Sequence, residues 1–191
     1  MTTILTCSGY YFDYVDVRSN MIFAQDIASG LSNECRYNGQ CPVFYSVAEH
    51  SYMAVDIVRF LGGTKTDMQQ ALMHDASEAF CKDIPKPLKE LLPEYKTIEQ
   101  RVQRDIYARL RLPLEDSDLV KRADSIALAI EKRDLWGNRD DWIHTRGVVI
   151  PHGYTPNILF GESPENAYVM WLDSFAELFG EDFEFCLKHA D

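Results

Sequence analysis

The stretch from Ala71 to Lys89, ALMHDASEAFCKDIPKPLK, has one histidine and two carboxylates among the mostly apolar residues of its first ten positions. Its first ten residues contain no lysine or arginine, a composition typical of a buried helix. At about 100° per residue, His74, Asp75 and Glu78 converge on one side of such a helix. Because an isolated buried charge is very costly, these groups must be paired, neutralised or bound to a metal ion. Separate hydrogen bonds inside a core are the simpler alternative.

The length of 191 residues fits one domain spanning residues 1–191. The hydrophobic fraction of 46% and the charged fraction of 26% are those of a globular protein rather than a disordered one. A formal net charge of −11 argues against a duplex nucleic acid partner, whose phosphates favour a basic surface. A small anionic substrate stays compatible with this charge if the cations are concentrated locally.

The compartment is predicted from what the chain lacks. No window approaches eighteen apolar residues, and the amino terminus has no basic region before an apolar run, so neither membrane insertion nor secretion is expected. The cysteines form no CxxC pair, and their odd number cannot pair completely within one chain. They are Cys7, Cys35, Cys41, Cys81 and Cys186. We expect reduced thiols in a cytoplasm, which is the host cytoplasm if a phage encodes the protein.

Apolar periodicity and capping signals predict an all-α fold, a compact bundle of about six helices with a short N-terminal β or irregular segment. The signals are a capping box at Ser46, a second one from Thr66 to Gln69, prolines at Pro85 and Pro87, and an N-cap at Ser163. The predicted segments begin with a strand or hairpin at 8–19 and helices at 21–37 and from 46 to Gly62. The next helix starts at 66, carries His74 and Asp75 and is broken at 83–87. Further helices are predicted at 88–110 with a soft interruption at Pro93, at 117–136 and from 163 to Gly180, with a long loop at 137–162 that lies over the site or on the surface.

A metal site is the interpretation that these helices favour. His50 falls on the buried face of one helix, His74 and Asp75 on another, and Asp124 beside the apolar face of a third. Two imidazoles and two carboxylates suit divalent Zn, Mn, Fe, Co or Ni, whereas Mg prefers mostly oxygen ligands. Such an ion lowers the pKa of a bound water from 15.7 towards about 7.

The order of these ligands, H, then HD, then D, resembles the HD-domain metal-dependent phosphohydrolases. The match includes further motifs, namely SVAEHS at 46–51, HDASE at 74–78, DIP at 83–85 and Lys89, which resemble the YfbR-type 5'-deoxynucleotidases. The segments DIA at 26–28 and CRYNG at 35–39 are similar to a YfdR-like branch of bacteria and phages. That branch includes the phage dATP triphosphohydrolases called DatZ. The resemblance covers roughly residues 8–136 and implies an HD-type fold.

The resemblance also implies roles for individual residues. Glu78 would move protons for the attacking water or the leaving nucleoside, with orientation of a ligand histidine as the alternative. Arg36 would bind the phosphate next to the sugar, unless it only caps its helix or pairs with Glu34. Tyr37 would stack on the base or sugar, or else belong to the core.

Residues after the HD motif carry weaker expectations. Asp83 would lie near the 3'-hydroxyl and select deoxyribose, or cap a turn. Four lysines would bind the outer phosphates of a substrate or remain solvated; they are Lys82, Lys86, Lys89 and Lys121. Three further histidines lie outside the motif and are expected to be ordinary surface or loop residues; they are His144, His152 and His189.

The function that the resemblance implies is hydrolysis of a deoxynucleotide with one divalent transition ion, Co, Zn or Mn. The leading hypothesis is dATP triphosphohydrolase, acting also on dADP and dAMP, which depletes dATP so that 2-aminoadenine replaces adenine in phage DNA. A 5'-deoxynucleotidase of broad base specificity and a non-catalytic nucleotide-binding scaffold remain alternatives. The family implies a homo-oligomer, a dimer or a hexamer, for which aromatics of the last helix could serve unless they belong to the core.

Overall fold

A computed structural model of the chain describes residues 2–137, 142–156 and 161–180. Over these residues the protein is mostly helical, with one small antiparallel sheet near the N-terminus, which confirms the all-α prediction. The sheet pairs β1 (Thr3–Leu5) with β2 (Tyr11–Asp13). The α-helices are α1 (Ala24–Asn33), α2 (Val47–Phe60), α3 (Lys65–Met73), α4 (Glu78–Cys81), α5 (Lys86–Lys89), α6 (Pro93–Arg109), α7 (Asp118–Trp136) and α8 (Pro164–Phe179). Short 3-10 turns occupy Val17–Ser19, Arg36–Gly39 and Ile143–Thr145.

Helix α2 is the centre of the bundle. It packs against α1, α3, α7 and α8, and its apolar positions, including Ala54 and Ile57, are completely buried. Helix α8, the last of these helices in the chain, packs against α1, α2 and α3. Its Trp171 and Phe175 are buried and stack at 5.5 Å, so these aromatic residues belong to the core. A functional side chain on the inner faces of α2 and α3 is therefore largely shielded from solvent.

Helix α1 is shorter than the segment 21–37 predicted from its apolar spacing. It ends at Asn33, and Glu34 and Cys35 are extended because their backbone pairs with the segment before α2. Arg36 N donates to Tyr45 O at 2.9 Å, and Val47 N donates to Glu34 O at 3.0 Å. This pairing ties the Arg36–Gly39 turn to the N-terminus of α2.

The helix that carries His74 also differs from its prediction. Its capping box is formed by Thr64 and Asp67 rather than by Thr66 and Gln69, because the Asp67 carboxylate accepts both the amide and the hydroxyl of Thr64. The helix ends at Met73 and does not continue through Glu78. The amides of residues 76 and 78 instead donate to the carbonyl oxygens of residues 73 and 75, which makes a tightened turn before α4.

Other boundaries agree more closely with the local signals. The capping box of Ser46 and the N-caps at Ser117 and Ser163 are all present. The helical segment predicted at 88–110 is interrupted directly before Pro93, which begins α6 because a first helical residue needs no amide donor. The predicted N-terminal hairpin forms, although its first strand lies before residue 8.

Two further expectations concern thiols and membranes. Cys7, Cys35, Cys41 and Cys81 are free thiols, and Cys186 lies outside the described residues. Within residues 2–137, 142–156 and 161–180, no helix combines the length and apolar character needed to cross a bilayer.

Candidate metal centre and its pocket

His50 of α2 and His74 at the end of α3 face each other across the core. Their Nε2 atoms are 3.2 Å apart, the His50 side chain is fully buried, and the His74 side chain is only 8% exposed. Because α2 and α3 pack directly against each other, residues 24 positions apart in the chain meet at one point.

Two carboxylates complete this cluster. Asp124 of α7 places Oδ1 3.2 Å from Nε2 of His50 and 3.9 Å from Nε2 of His74. Asp75 places Oδ2 3.2 Å from Nε2 of His74 and 3.6 Å from Nε2 of His50. Ligand atoms of His50, His74 and Asp124 all lie within 4.8 Å of one another, so these three residues could hold a metal ion. Asp75 borders the same point, and the structure therefore brings all four predicted ligands together.

The orientation of the two imidazoles fits a metal ion. Nδ1 of His50 lies 2.5 Å from Oε1 of Glu131, and Nδ1 of His74 lies 2.8 Å from the carbonyl oxygen of Ala71. Both partners accept hydrogen bonds, so each Nδ1 carries a proton and each Nε2 is the atom left to bind an ion, which displaces any proton there. Two imidazole Nε2 atoms beside two carboxylates are the donor set that a borderline divalent ion binds.

Glu131 is a functional candidate that sequence reasoning missed. It is completely buried, and its carboxylate accepts hydrogen bonds from His50, from Tyr45 OH at 3.1 Å and from Tyr37 OH. It lies two helical turns after Asp124 on α7 and directly follows Ile130. The sequence signal that could have identified it is a single acidic residue beside the apolar face of this helix.

The charges of the site shift several pKa values. Burial raises the pKa of Glu131, but the Arg36 and His50 charges outweigh burial and lower it to about 2. Burial lowers the pKa of His74, yet the Asp75 and Asp124 carboxylates raise it to about 10 in the metal-free protein. Burial opposes ionisation of Asp75 as well, but His74 and other positive neighbours lower its pKa below the ordinary value. Asp75 and Glu131 therefore stay ionised in the metal-free protein.

Arg36 and Tyr37 lie beside this cluster. The Arg36 guanidinium is 3.6 Å from Asp75 and 3.3 Å from Glu131, and it does not pair with Glu34, which binds Lys82 instead. Tyr37 donates its hydroxyl to Glu131, and its ring contacts Trp136 edge-on at 4.8 Å. Both residues also line the pocket described below.

Glu78 is 7% exposed at the start of α4. Burial, together with the Asp75 and Asp83 carboxylates, raises its pKa well above the ordinary value, although Lys89 lies only 3.5 Å from Oε1. Among the described residues, Oε2 of Glu78 and Nε of Arg36 have no hydrogen-bond partner. Both residues line the pocket described below.

The cluster opens into a pocket of about 670 Å³, a volume suited to a small molecule. Its metal end is formed by Asp75 and Asp124 beside Arg36 and Glu78. The remaining lining residues include three lysines from α5 and α6 together with acidic, apolar and aromatic side chains. They are Tyr37, Asp83, Pro85, Lys86, Pro87, Lys89, Glu90, Lys96, Ser125, Leu128, Trp142 and His144.

The structure divides the predicted lysines into two groups. Lys86 and Lys89 line the pocket, whereas Lys82 is turned towards Glu34 and, like Lys121, is not among the lining residues that the structure describes. Lys89 is held by Glu99 at 2.6 Å, and Lys96 of α6 is a pocket lysine that the sequence analysis did not select.

Part of the predicted loop lies over the site. Trp142 and His144 follow α7 in the chain and line the pocket, so His144 is not remote from the site. His152 is an exposed loop residue, and His189 lies outside the described residues.

Comparisons with known proteins give two relatives. The chain is 39% identical over 181 residues to the uncharacterized protein YfdR of Escherichia coli (strain K12), which covers 93% of this chain and 96% of the relative. It is 31% identical over 139 residues to the uncharacterized protein RCAP_rcc00048 of Rhodobacter capsulatus, which covers 68% of this chain and 71% of the relative. No protein-family model matches the chain.

Proposed function

The chain belongs to the YfdR family, and from the geometry of its cluster and pocket we propose that it is an HD-domain, metal-dependent phosphohydrolase of deoxynucleotides. The observation that carries the proposal is the cluster of His50, His74 and Asp124, with Asp75 beside them, at one end of a pocket that is also lined by lysines. An anionic substrate and a divalent cation are both favoured there, although the chain as a whole is acidic.

The four cluster residues would hold one divalent transition ion, Co, Zn or Mn. When bound, such an ion supplies a water of lowered pKa at neutral pH and neutralises phosphate charge. Glu131 and the carbonyl oxygen of Ala71 keep the two histidines in the orientation that this ion needs.

Phosphoryl transfer depends mostly on positioning and charge stabilisation. In the proposed reaction, the oxygen of water bonds to the phosphorus nearest the sugar, and the bond from that phosphorus to the 5'-oxygen breaks. Arg36 would hold the phosphate oxygens through its planar guanidinium, which already lies 3.6 Å from Asp75. Glu78 would give its proton to the 5'-oxygen, a role that its raised pKa supports, and would then regain a proton from the attacking water.

The substrate proposed first is dATP, with deoxyadenosine and triphosphate as products and with dADP and dAMP also accepted. This choice follows the DatZ-like resemblance of the DIA and CRYNG segments, and depletion of dATP in favour of 2-aminoadenine in phage DNA follows with it. Lys86, Lys89 and Lys96 support a substrate with several phosphates, because all three line the pocket. Asp83, also in the lining, would contact the 3'-hydroxyl.

A 5'-deoxynucleotidase that acts on monophosphates of several bases is the second candidate. Two observations favour this candidate. Lys82 pairs with Glu34 outside the pocket, and Lys89 lies in ion-pair contact with both Glu78 and Glu99. Fewer free cations then remain for the outer phosphates than the sequence suggested.

The test is product analysis by chromatography with Co, Mn or Zn added, across the four common deoxynucleoside triphosphates, the 2-aminoadenine deoxynucleotide and the matching monophosphates. We expect selective conversion of dATP to deoxyadenosine and triphosphate. The Asp75→Ala variant should abolish turnover, and Asp173→Ala, a change of an exposed acid on α8, should leave it intact.

The other outcomes distinguish the alternatives. Equal turnover of all monophosphates with inert triphosphates would identify the broad 5'-deoxynucleotidase. Nucleotide binding without turnover under any added metal, together with no bound transition ion in the purified protein, would indicate a non-catalytic scaffold and overturn the proposal.

A further inference from the structure

One part of the pocket lining is aromatic. Trp142 and His144 lie on opposite sides of Ile143 in the chain, and both line the pocket. The ring of Trp142 lies 5.5 Å from that of His144 at 84° and 6.2 Å from that of Tyr37 at 54°. Neither of these two rings is parallel to the indole. A planar group could therefore stack on the indole without displacing a stacked side chain of the residues that the structure describes.

Tyr37, the aromatic residue that the sequence selected for stacking, is already engaged. Its hydroxyl binds Glu131, its ring meets Trp136 at 87°, and the Arg36 guanidinium lies 5.3 Å from its ring centroid. A base that stacked on Tyr37 would have to compete with these contacts. The contacts described for the Trp142 ring are the tilted one to Tyr37 and the edge-on one to His144, so Trp142 is the better surface for a base.

We propose that Trp142 stacks on the base of the bound deoxynucleoside, so that the segment after α7 contributes to substrate binding. The inference rests on the proposed function and extends the substrate site beyond residues 8–136, where the recognised motifs end. Leu128 of α7 supplies apolar lining in the same pocket, whose other residues include the candidate ligands Asp75 and Asp124 and three lysines. A ligand with an anionic group and a planar heterocycle matches both kinds of lining.

Stacking on tryptophan adds affinity without choosing a base, because every base has an aromatic face. Loss of one such contact weakens binding by about 5- to 150-fold. Trp142 should therefore contribute to binding of the nucleoside part of any deoxynucleotide and not to binding of its phosphate.

The experiment uses two probes that separate these parts, deoxyadenosine and inorganic phosphate, each titrated calorimetrically into the metal-loaded protein. Deoxyadenosine has no phosphate to hydrolyse, so its affinity is measured without turnover. The variants are Trp142→Ala, Trp142→Phe and the matched control Ile143→Ala, which truncates an adjacent side chain that is 67% exposed and does not line the pocket.

We expect Trp142→Ala to weaken deoxyadenosine binding by about tenfold or more, with Trp142→Phe recovering most of it. The affinity for phosphate should be unchanged in every variant. The Ile143→Ala variant should also bind deoxyadenosine as tightly as the unaltered protein does. For a hydrolysed deoxynucleotide, Trp142→Ala should raise KM more than it lowers kcat, as expected for loss of uniform binding.

Three results would overturn the inference: unchanged deoxyadenosine affinity in Trp142→Ala, an equal loss of phosphate affinity, or no deoxyadenosine binding by the unaltered protein. Failure of the proposed function looks different. If no deoxynucleotide is hydrolysed but deoxyadenosine binding still depends on Trp142, the inference stands and the catalytic proposal falls.

Discussion

The carboxylate of Glu131 lies 2.5 Å from Nδ1 of His50, and both side chains are completely buried. This contact joins α7 to α2 across 81 positions of the chain and turns Nε2 of His50 towards the metal cluster. Glu131 also accepts hydrogen bonds from the hydroxyls of Tyr37 and Tyr45, and its carboxylate lies 3.3 Å from the Arg36 guanidinium. One buried acid therefore orients both a candidate metal ligand and a candidate phosphate-binding residue.

Replacing Glu131 with glutamine should weaken metal binding by about 10- to 100-fold, the usual effect of losing a hydrogen-bond partner behind a ligand histidine. The amide keeps the size of the side chain but no longer fixes which nitrogen of His50 carries the proton. Titration of the metal-free protein with Co²⁺ measures the change. Glu177→Gln is the control, because Glu177 pairs with Arg59 on the surface. Equal metal affinity in the Glu131 and Glu177 variants would contradict the orienting role.

Glu78→Gln should stabilise the metal-free protein at neutral pH while removing most turnover. The folded-state pKa of Glu78 is raised, so its contribution to stability is fully present below the unfolded pKa and is lost as pH rises through the folded pKa. Glutamine does not titrate, and the free energy of unfolding of the variant should exceed that of the unaltered protein by a margin that grows with pH above about 4.3. The growth is at most about 1.4 kcal/mol per pH unit.

Urea unfolding of both metal-free proteins at pH 5 and pH 8 measures this margin, and turnover of the metal-loaded proteins measures the catalytic cost. We expect turnover to fall by about 10²–10⁴-fold if Glu78 transfers protons. A margin that shrinks with rising pH would show that Glu78 is stabilised as the ion instead.

The lysines that line the pocket should matter more for long phosphate chains than the lysines outside it. The Lys86→Ala/Lys96→Ala double variant should raise KM for a triphosphate by up to about fivefold per lysine, the range of exposed ion pairs, and should affect a monophosphate less. The Lys82→Ala/Lys121→Ala double variant removes the same charge elsewhere and serves as the matched control. If both double variants have the same effect, net charge rather than position is responsible.

Gly30→Ala should destabilise the protein although alanine is the better helix former. A Cβ at Gly30 would lie 2.5 Å from the carbonyl oxygen of Ala79 and 2.6 Å from its Cα, and backbone atoms cannot move aside as a side chain can. Overpacking of this kind costs about 1–3 kcal/mol, more than the roughly 0.5–1 kcal/mol that alanine contributes in a helix. Urea unfolding checks the sign, with Asn33→Ala at the exposed end of α1 as the control.

Removal of metal should lower the unfolding temperature, because the ion binds only the folded arrangement of His50, His74 and Asp124. Adding Mn²⁺ at about one hundred times its Kd should restore about 2.7 kcal/mol. Thermal unfolding after chelation and after re-addition measures the effect. Asp124→Asn should lose most of the response to Mn²⁺, whereas Asp173→Asn on α8 should keep it. An unchanged response in Asp124→Asn would exclude Asp124 as a ligand.

Much of the helical framework and the metal cluster could be predicted from the sequence. Capping signals are local, so Ser46, Ser117 and Ser163 start their helices as expected. Apolar periodicity placed His50 on the buried face of its helix and Asp124 beside the apolar face of another. The cluster forms when those helices pack together. The local signals failed where two of them competed, as at Thr64 and Thr66, or where distant backbone pairing stretched Glu34 and Cys35.

The sequence by itself determined the helical class, most helix starts and the identity of the four candidate ligands, because these depend on local propensity and on the polarity of each helix face. Only the tertiary structure decided that Glu131 lies behind His50, that Lys82 turns to Glu34, and that Trp142 lines the pocket. These relations depend on how distant elements pack, and the spacing of residues within one helix carries no information about the element that will face it.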